Sequence, residues 1–142
     1  MKNRTIAMLT DEYRRYPFLT AASPPTPKEI NDAQETLDVI FHDDYIEFLL
    51  TFGGGMVGSL PVYGLRPVEV FGKSWSVVDV TLRFRRDNWP HTNDSYVIST
   101  DGRGNPIGVA PDARLMSYDH DVGDYYEVAE HLEAFIIAQL LS

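Results

Sequence analysis

The segment DDYIEFLLTFGGGMVG, residues 43–58, decides how the rest of the chain is read. Gly53, Gly55 and Gly58 spell G-x-G-x-x-G, the spelling of a loop that cradles nucleotide phosphates. Such a loop follows a strand and opens a helix, because the phosphate sits on the positive, N-terminal end of the helix dipole. Here the order is inverted. Tyr45, Phe48, Leu49 and Phe52 recur at helical spacing before the glycines, and LPVYGL (60–65) reads as a strand after them. The glycines therefore meet the negative end of a helix, and no lysine stands among them. The pattern predicts a helix ending at Phe52 and capped by Gly53 in the left-handed conformation, with Gly54 and Gly55 turning the chain into a sheet. Asp43 or Asp44 is expected to cap its start.

Upstream, Ile6, Leu9, Tyr13 and Tyr16 predict an amphipathic helix over 5–16, and SPPTP (23–27) a stiff linker. Thr26, Pro27 and Glu29 form a capping box for a second helix, with Ile30, Ala33 and Leu37 as its apolar stripe. Downstream, LPVYGL and VEVFGK (68–73) read as short strands. WSVVDVTLRF (75–84) fits a helix capped by Ser76 with Asp79 three residues on, and is β-branched enough for a strand. SYVIST (95–100), the turn DGRGNP (101–106) and IGVA (107–110) make a hairpin, followed by the strand ARLMSYD (113–119). A turn over 119–124, a short strand over 125–128 and a helix from Ala129 complete the chain. Helices at both ends and strands between predict an α+β fold, a single domain over 1–142 with a mostly antiparallel central sheet.

Twelve Lys and Arg against 21 Asp and Glu leave a net charge of −9. Such a surface repels nucleic-acid phosphates and attracts a basic partner protein. Seven acids lie between Glu29 and Glu47 with no Lys or Arg among them, and seven more between Asp112 and Glu133 against the single Arg114. Arg83, Arg85 and Arg86 form the dense basic patch and are expected against the chain's own acids. The absence of cysteine excludes disulfides, thiolate metal sites and a cysteine nucleophile, and fits a reducing cytoplasm. No apolar run is long enough for a membrane span, and residues 1–15 do not read as an export signal.

With these elements in order, TPKEINDAQETL (26–37) and DDYIEFLLTFGGG (43–55) resemble the SUKH superfamily, the group of the fungal Smi/Knr cell-wall regulators and of bacterial immunity proteins. In that family an acidic helix leads through Leu-Pro to an Asp-Tyr, Phe-Leu helix closing on Asn-Gly-Gly. Asp44-Tyr45, Phe48-Leu49 and Gly54-Gly55 match; Phe41-His42 replace Leu-Pro, and Gly53 replaces Asn. SYVISTDGRGNPIGV, LMSYDHD and AEHLEAFI resemble the later strands, turns and final helix, so the resemblance covers about residues 26–140, with 1–25 outside it. It implies a non-enzymatic α+β binding domain; a cytoplasmic location and no cofactor or metal are expected for the chain. In the bacterial members it implies an immunity protein that occludes a toxin domain, often a nuclease, which the negative charge suits.

YDHDVGDYYEVAE (118–130) is the sharpest chemical candidate. Asp119, Asp121 and Glu130 fall at positions one, three and twelve of a calcium loop, but Gly123 and Asp124 occupy positions five and six, where a ligand and a glycine belong. The bland reading is an acidic turn. His120 is expected to make one structural hydrogen bond, His42 and Asp43 to be helix-start residues, and His91 to be exposed. The partner-binding candidates are Asp119, Asp121, Asp124, Trp75, Trp89 and Tyr118, acids beside aromatics near turns; the Glu29–Glu47 stretch is a second candidate surface. Three functions are weighed: toxin neutralisation first, a regulatory protein-interaction scaffold second, a metal-dependent or acid–base enzyme last. The sequence names neither the toxin nor the oligomeric state.

Overall fold

A computed structural model describes residues 1–21, 23–73 and 76–142. Helix α1 (Asn3–Arg15) buries Leu9 and Tyr13, and helix α2 (Pro27–Leu37) buries Ile30, Ala33 and Leu37. The capping box of α2 is complete, with Thr26 and Glu29 satisfying each other's backbone N–H. Helix α3 (Asp43–Phe52) buries Tyr45, Phe48, Leu49 and Phe52. Its N-cap is His42, not Asp43 or Asp44, and the His42 side chain caps nothing. The two aspartates instead occupy the first turn, where their charge suits the dipole.

The glycine corner behaves as the sequence predicts. Gly53 ends α3 with φ 77°, its N–H donating to the Leu49 carbonyl at 2.9 Å. Strands β1 (Gly55–Val57) and β2 (Leu60–Val62) then pair as a small antiparallel sheet. Gly64 lies so close to the Gly53 carbonyl that a Cβ there would overlap it. The Gly54 carbonyl accepts from the Ala21 N–H at 3.1 Å and from the Thr20 hydroxyl at 2.8 Å. Absent side chains thus let three backbone segments converge on the end of one helix.

Residues 68–73 do not form the expected strand. Glu69–Phe71 is a short 3-10 turn, and Val68 makes a lone bridge to Ala21. With no strand alongside, the backbone closes on itself, the Phe71 N–H donating to the Val68 carbonyl at 3.0 Å. The ambiguous stretch before Arg86 is helix α4 (Val77–Arg86), which puts Val77, Val80, Thr81 and Phe84 on one buried face. Ser76 caps the Val78 N–H, and Thr81 accepts from the Val97 N–H at 2.8 Å, tying α4 to the sheet.

That sheet is an antiparallel meander: β3 (Tyr96–Thr100), β4 (Pro106–Val109), β5 (Leu115–Asp119) and β6 (Asp124–Ala129). Helix α5 (Leu132–Leu141) starts later than Ala129, because Ala129 still pairs with Leu115 and His131 is the cap. The fold is thus a single α+β domain with an antiparallel sheet at its centre. In its core Phe41, Tyr45 and Tyr96 meet with ring centroids 4.8–5.2 Å apart. Burial raises the Tyr45 and Tyr96 hydroxyl pKa values, so both stay protonated; Tyr45 donates to the Tyr63 carbonyl at 2.6 Å.

Candidate functional site

Strands β5 and β6 reverse through residues 120–123, the Gly123 N–H donating to the Asp119 carbonyl at 2.8 Å. Asp119 is partly structural. Its carboxylate accepts from the Asp121 N–H at 2.9 Å, lies 3.7 Å from Arg103, and is 15% exposed. Asp121, Val122 and Asp124 are exposed, Val122 at 74%. The structural role expected for His120 is seen: its ring and backbone N–H both donate to the side-chain oxygen of buried Asn105. The Asn105 amide in turn donates to Asp101 at 3.0 Å. Burial pushes the Asp101 pKa up, but hydrogen bonds from Asn105 and Arg103 outweigh it and hold the value below the ordinary one. The two hairpin turns are thereby fastened together.

Trp89 joins this end of the molecule from the connection after α4. Half-buried, it meets Phe84, His120 and Tyr118 edge-on, with centroids at 5.1, 5.4 and 6.3 Å. Asp119, Asp121, Asp124, Trp89 and Tyr118 are thus gathered around one hairpin, whereas Trp75 lies outside the described residues. Two members escaped the sequence reading as a pair. Exposed His91 stacks on Tyr125 at 3.8 Å and 16°, and Tyr125 sits directly across from Tyr118. Burial, then the nearby charge of Asp94, raises the Tyr125 pKa. The available signal was strand alternation, which puts Tyr125 on the face of Tyr118.

Of the seven acids between Glu29 and Glu47, three are taken up in ion pairs. Glu29 pairs with Arg66 at 2.5 Å, Asp32 with Lys28 at 2.9 Å, and Glu47 with the Met1 ammonium. Glu35 and Asp38 face an open groove of about 910 Å³ between the α2–α3 connection and the β4–β5 turn, where Asp94 joins them. Ile40, 83% exposed, lies in its wall. Arg85 holds the walls together, donating to the carbonyls of Leu37 and Thr92 at 2.8 Å and of Ser95 at 3.0 Å. Its expected partners were acids; the carbonyls take its hydrogen bonds instead. Burial lowers the Arg85 pKa, against the opposing charges of Asp38 and Asp94. His42 bridges the same region. Its Nε2 lies 3.1 Å from the Pro111 carbonyl, which can only accept, so Nε2 carries the proton and Nδ1 accepts from the Tyr96 hydroxyl at 2.9 Å.

Asp119 pairs across the hairpin with Asp124, while Ala129 pairs with Leu115 at the other end of the strands. Glu130, one residue further, is therefore roughly 15–20 Å along the strand from Asp124, and the three calcium-loop acids do not converge. Among the described residues no group of three or more His, Asp or Glu side chains is placed to hold a metal ion. Among them, too, no helix is long and apolar enough to cross a membrane.

Compared with known proteins, residues 3–141 match the SUKH family model described as SMI1-KNR4 cell-wall. The match takes in α1, which the motifs over 26–140 had left out. No curated protein matches the chain. The match spans nearly the whole chain, and the chain belongs to the SUKH family, the family described as SMI1-KNR4 cell-wall.

Proposed function

We propose that this protein is an immunity protein, which binds a basic, nuclease-type toxin domain and neutralises it by occlusion. One observation carries the reading: exposed Asp121 and Asp124 stand beside the half-buried aromatics Trp89 and Tyr118 on one end of the sheet. Aromatic side chains that are already held in place make good interface anchors, and charges around them speed encounter with an oppositely charged partner. Asp121 and Asp124 steer the toxin; Trp89 and Tyr118 anchor it. Asp119 holds the turn that presents them. Membership of the SUKH family is consistent with this role and with Smi1/Knr4-like regulation. The net charge of −9 favours a basic partner for either. The action is binding, not catalysis, and it takes place in the cytoplasm.

The test is co-expression in a bacterium with the C-terminal domain of the protein encoded beside this chain. Rescue of growth, with a one-to-one complex that weakens in salt, is expected. Toxicity without rescue, or no toxicity, overturns the immunity reading and leaves the scaffold role, to be pursued by unbiased pull-down.

A further inference from the structure

We propose that the groove between the α2–α3 connection and the β4–β5 turn seats an extended basic segment of the partner, one arginine or lysine side chain entering between Glu35, Asp38 and Asp94 with an apolar neighbour resting on Ile40. This builds on the partner-binding reading above and adds a place and a side-chain class to it.

Four observations lead there. The groove, at about 910 Å³ and open to solvent, suits a stretch of chain better than a single ion. Three carboxylates line it, and no Lys or Arg lies among the described lining residues, although the charge of Arg85, outside the lining, offsets part of that of Asp38 and Asp94. Ile40 is 83% exposed in the groove wall, although an isoleucine gains most from burial. Lastly, the walls are fixed before anything binds. Arg85 ties the end of α2 to the loop before β3, Gln34 accepts from the Phe41 N–H at 2.8 Å, and His42 reaches Pro111. A groove that is already rigid loses little entropy when filled.

Charge selects the occupant. A second copy of this chain would bring −9 against −9. An acidic or nucleic-acid ligand would be repelled by the lining carboxylates. A basic segment is attracted, and the planar guanidinium of arginine can bond two carboxylate oxygens at once. The Asn31 and Asn93 amides on the rim can serve the segment's backbone.

The experiment titrates the isotopically labelled full chain with a capped hexapeptide of alternating leucine and arginine, followed by amide chemical shifts. The same peptide with glutamate for arginine is the control. Shifts are expected over residues 38–42 and at Asn93 and Asp94, with none from the glutamate peptide. The Asp38→Asn/Asp94→Asn double variant is expected to bind at least tenfold more weakly, and Ile40→Ser about threefold more weakly. Asparagine tolerates the left-handed backbone of Asp38 (φ 53°), so the double variant keeps the fold, which its own spectrum verifies. Shifts confined to residues 119–124, shifts spread over every acid, no shift at millimolar peptide, or full binding by the double variant each overturn the groove. Co-expression separates this from the functional reading. If the double variant rescues as well as the parent with an unchanged Kd for the toxin domain, immunity stands and the groove falls. If the parent does not rescue but the peptide still binds in the groove, immunity falls and the groove stands.

Discussion

Two regions of this molecule turn on glycine, and they do so for opposite reasons. At the end of α3, Gly53, Gly54 and Gly64 are pressed together by backbone. A Cβ on Gly53 would lie 2.8 Å from the Ser23 carbonyl, and one on Gly64 would overlap Gly53. At the hairpin ends a Cβ on Gly102 or Gly104 would meet nothing within 4 Å. The first set is irreplaceable because of what surrounds it; the second serves only the local direction of the chain. The difference separates the part of the molecule that makes the fold from the part that is free to make contacts.

Substitutions can break or sharpen that contrast. The largest effect is expected from Gly64→Ala, which forces backbone apart at the corner and should cost about 3 kcal/mol or more in urea denaturation. A cost near zero would mean the corner yields and the contrast is false. Next comes Asp101→Ala, which strips the Arg103 and Asn105 N–H groups and the Asn105 amide of their acceptor, at about 1–3 kcal/mol. This loss has a pH signature. The Asp101 pKa is lower folded than its ordinary 3.8, so the carboxylate form stabilises the fold. Its contribution is complete above that value and disappears as pH falls through the lower folded value. The parent and the alanine variant should therefore converge in stability below pH 3.8, and a constant gap would refute the electrostatic part. Asp121→Lys with Asp124→Lys should change stability by less than about 0.5 kcal/mol, both being exposed. At low salt the same pair should slow toxin association about tenfold and flatten its salt dependence, measured by stopped flow. Unchanged association would remove the hairpin from the interface. Gly102→Ala should leave the midpoint within error, since its Cβ meets open space.

What the sequence revealed follows from how local each feature is. The Thr26 capping box and the Gly53 cap are set by residues within four positions, and both are present as read. The Asp-Gly hairpin at 101–106 is of the same kind. VEVFGK misled because alternation signals a strand only where a neighbouring strand exists, and Val68 alone finds one. The cap of α3 went to His42 because its backbone and ring are held by Tyr96 and Pro111, 54 and 69 residues away. Acids and aromatics near residue 120 could be read as a candidate site since one hairpin carries most of them. That Trp89 and His91 come to lie against it is a tertiary fact. Of the groove only the acidic stretch of residues 31–42 was legible, because residues 93–96 and 109–111 join it through the tertiary fold.

The loop of residues 89–95 has a consequence for how recognition could be inherited. One end of it carries Trp89 and His91 to the hairpin, the other carries Asn93 and Asp94 to the groove, and Arg85 holds its middle at Thr92. A single insertion or deletion there would rewrite both surfaces in one event while leaving the core sequence untouched.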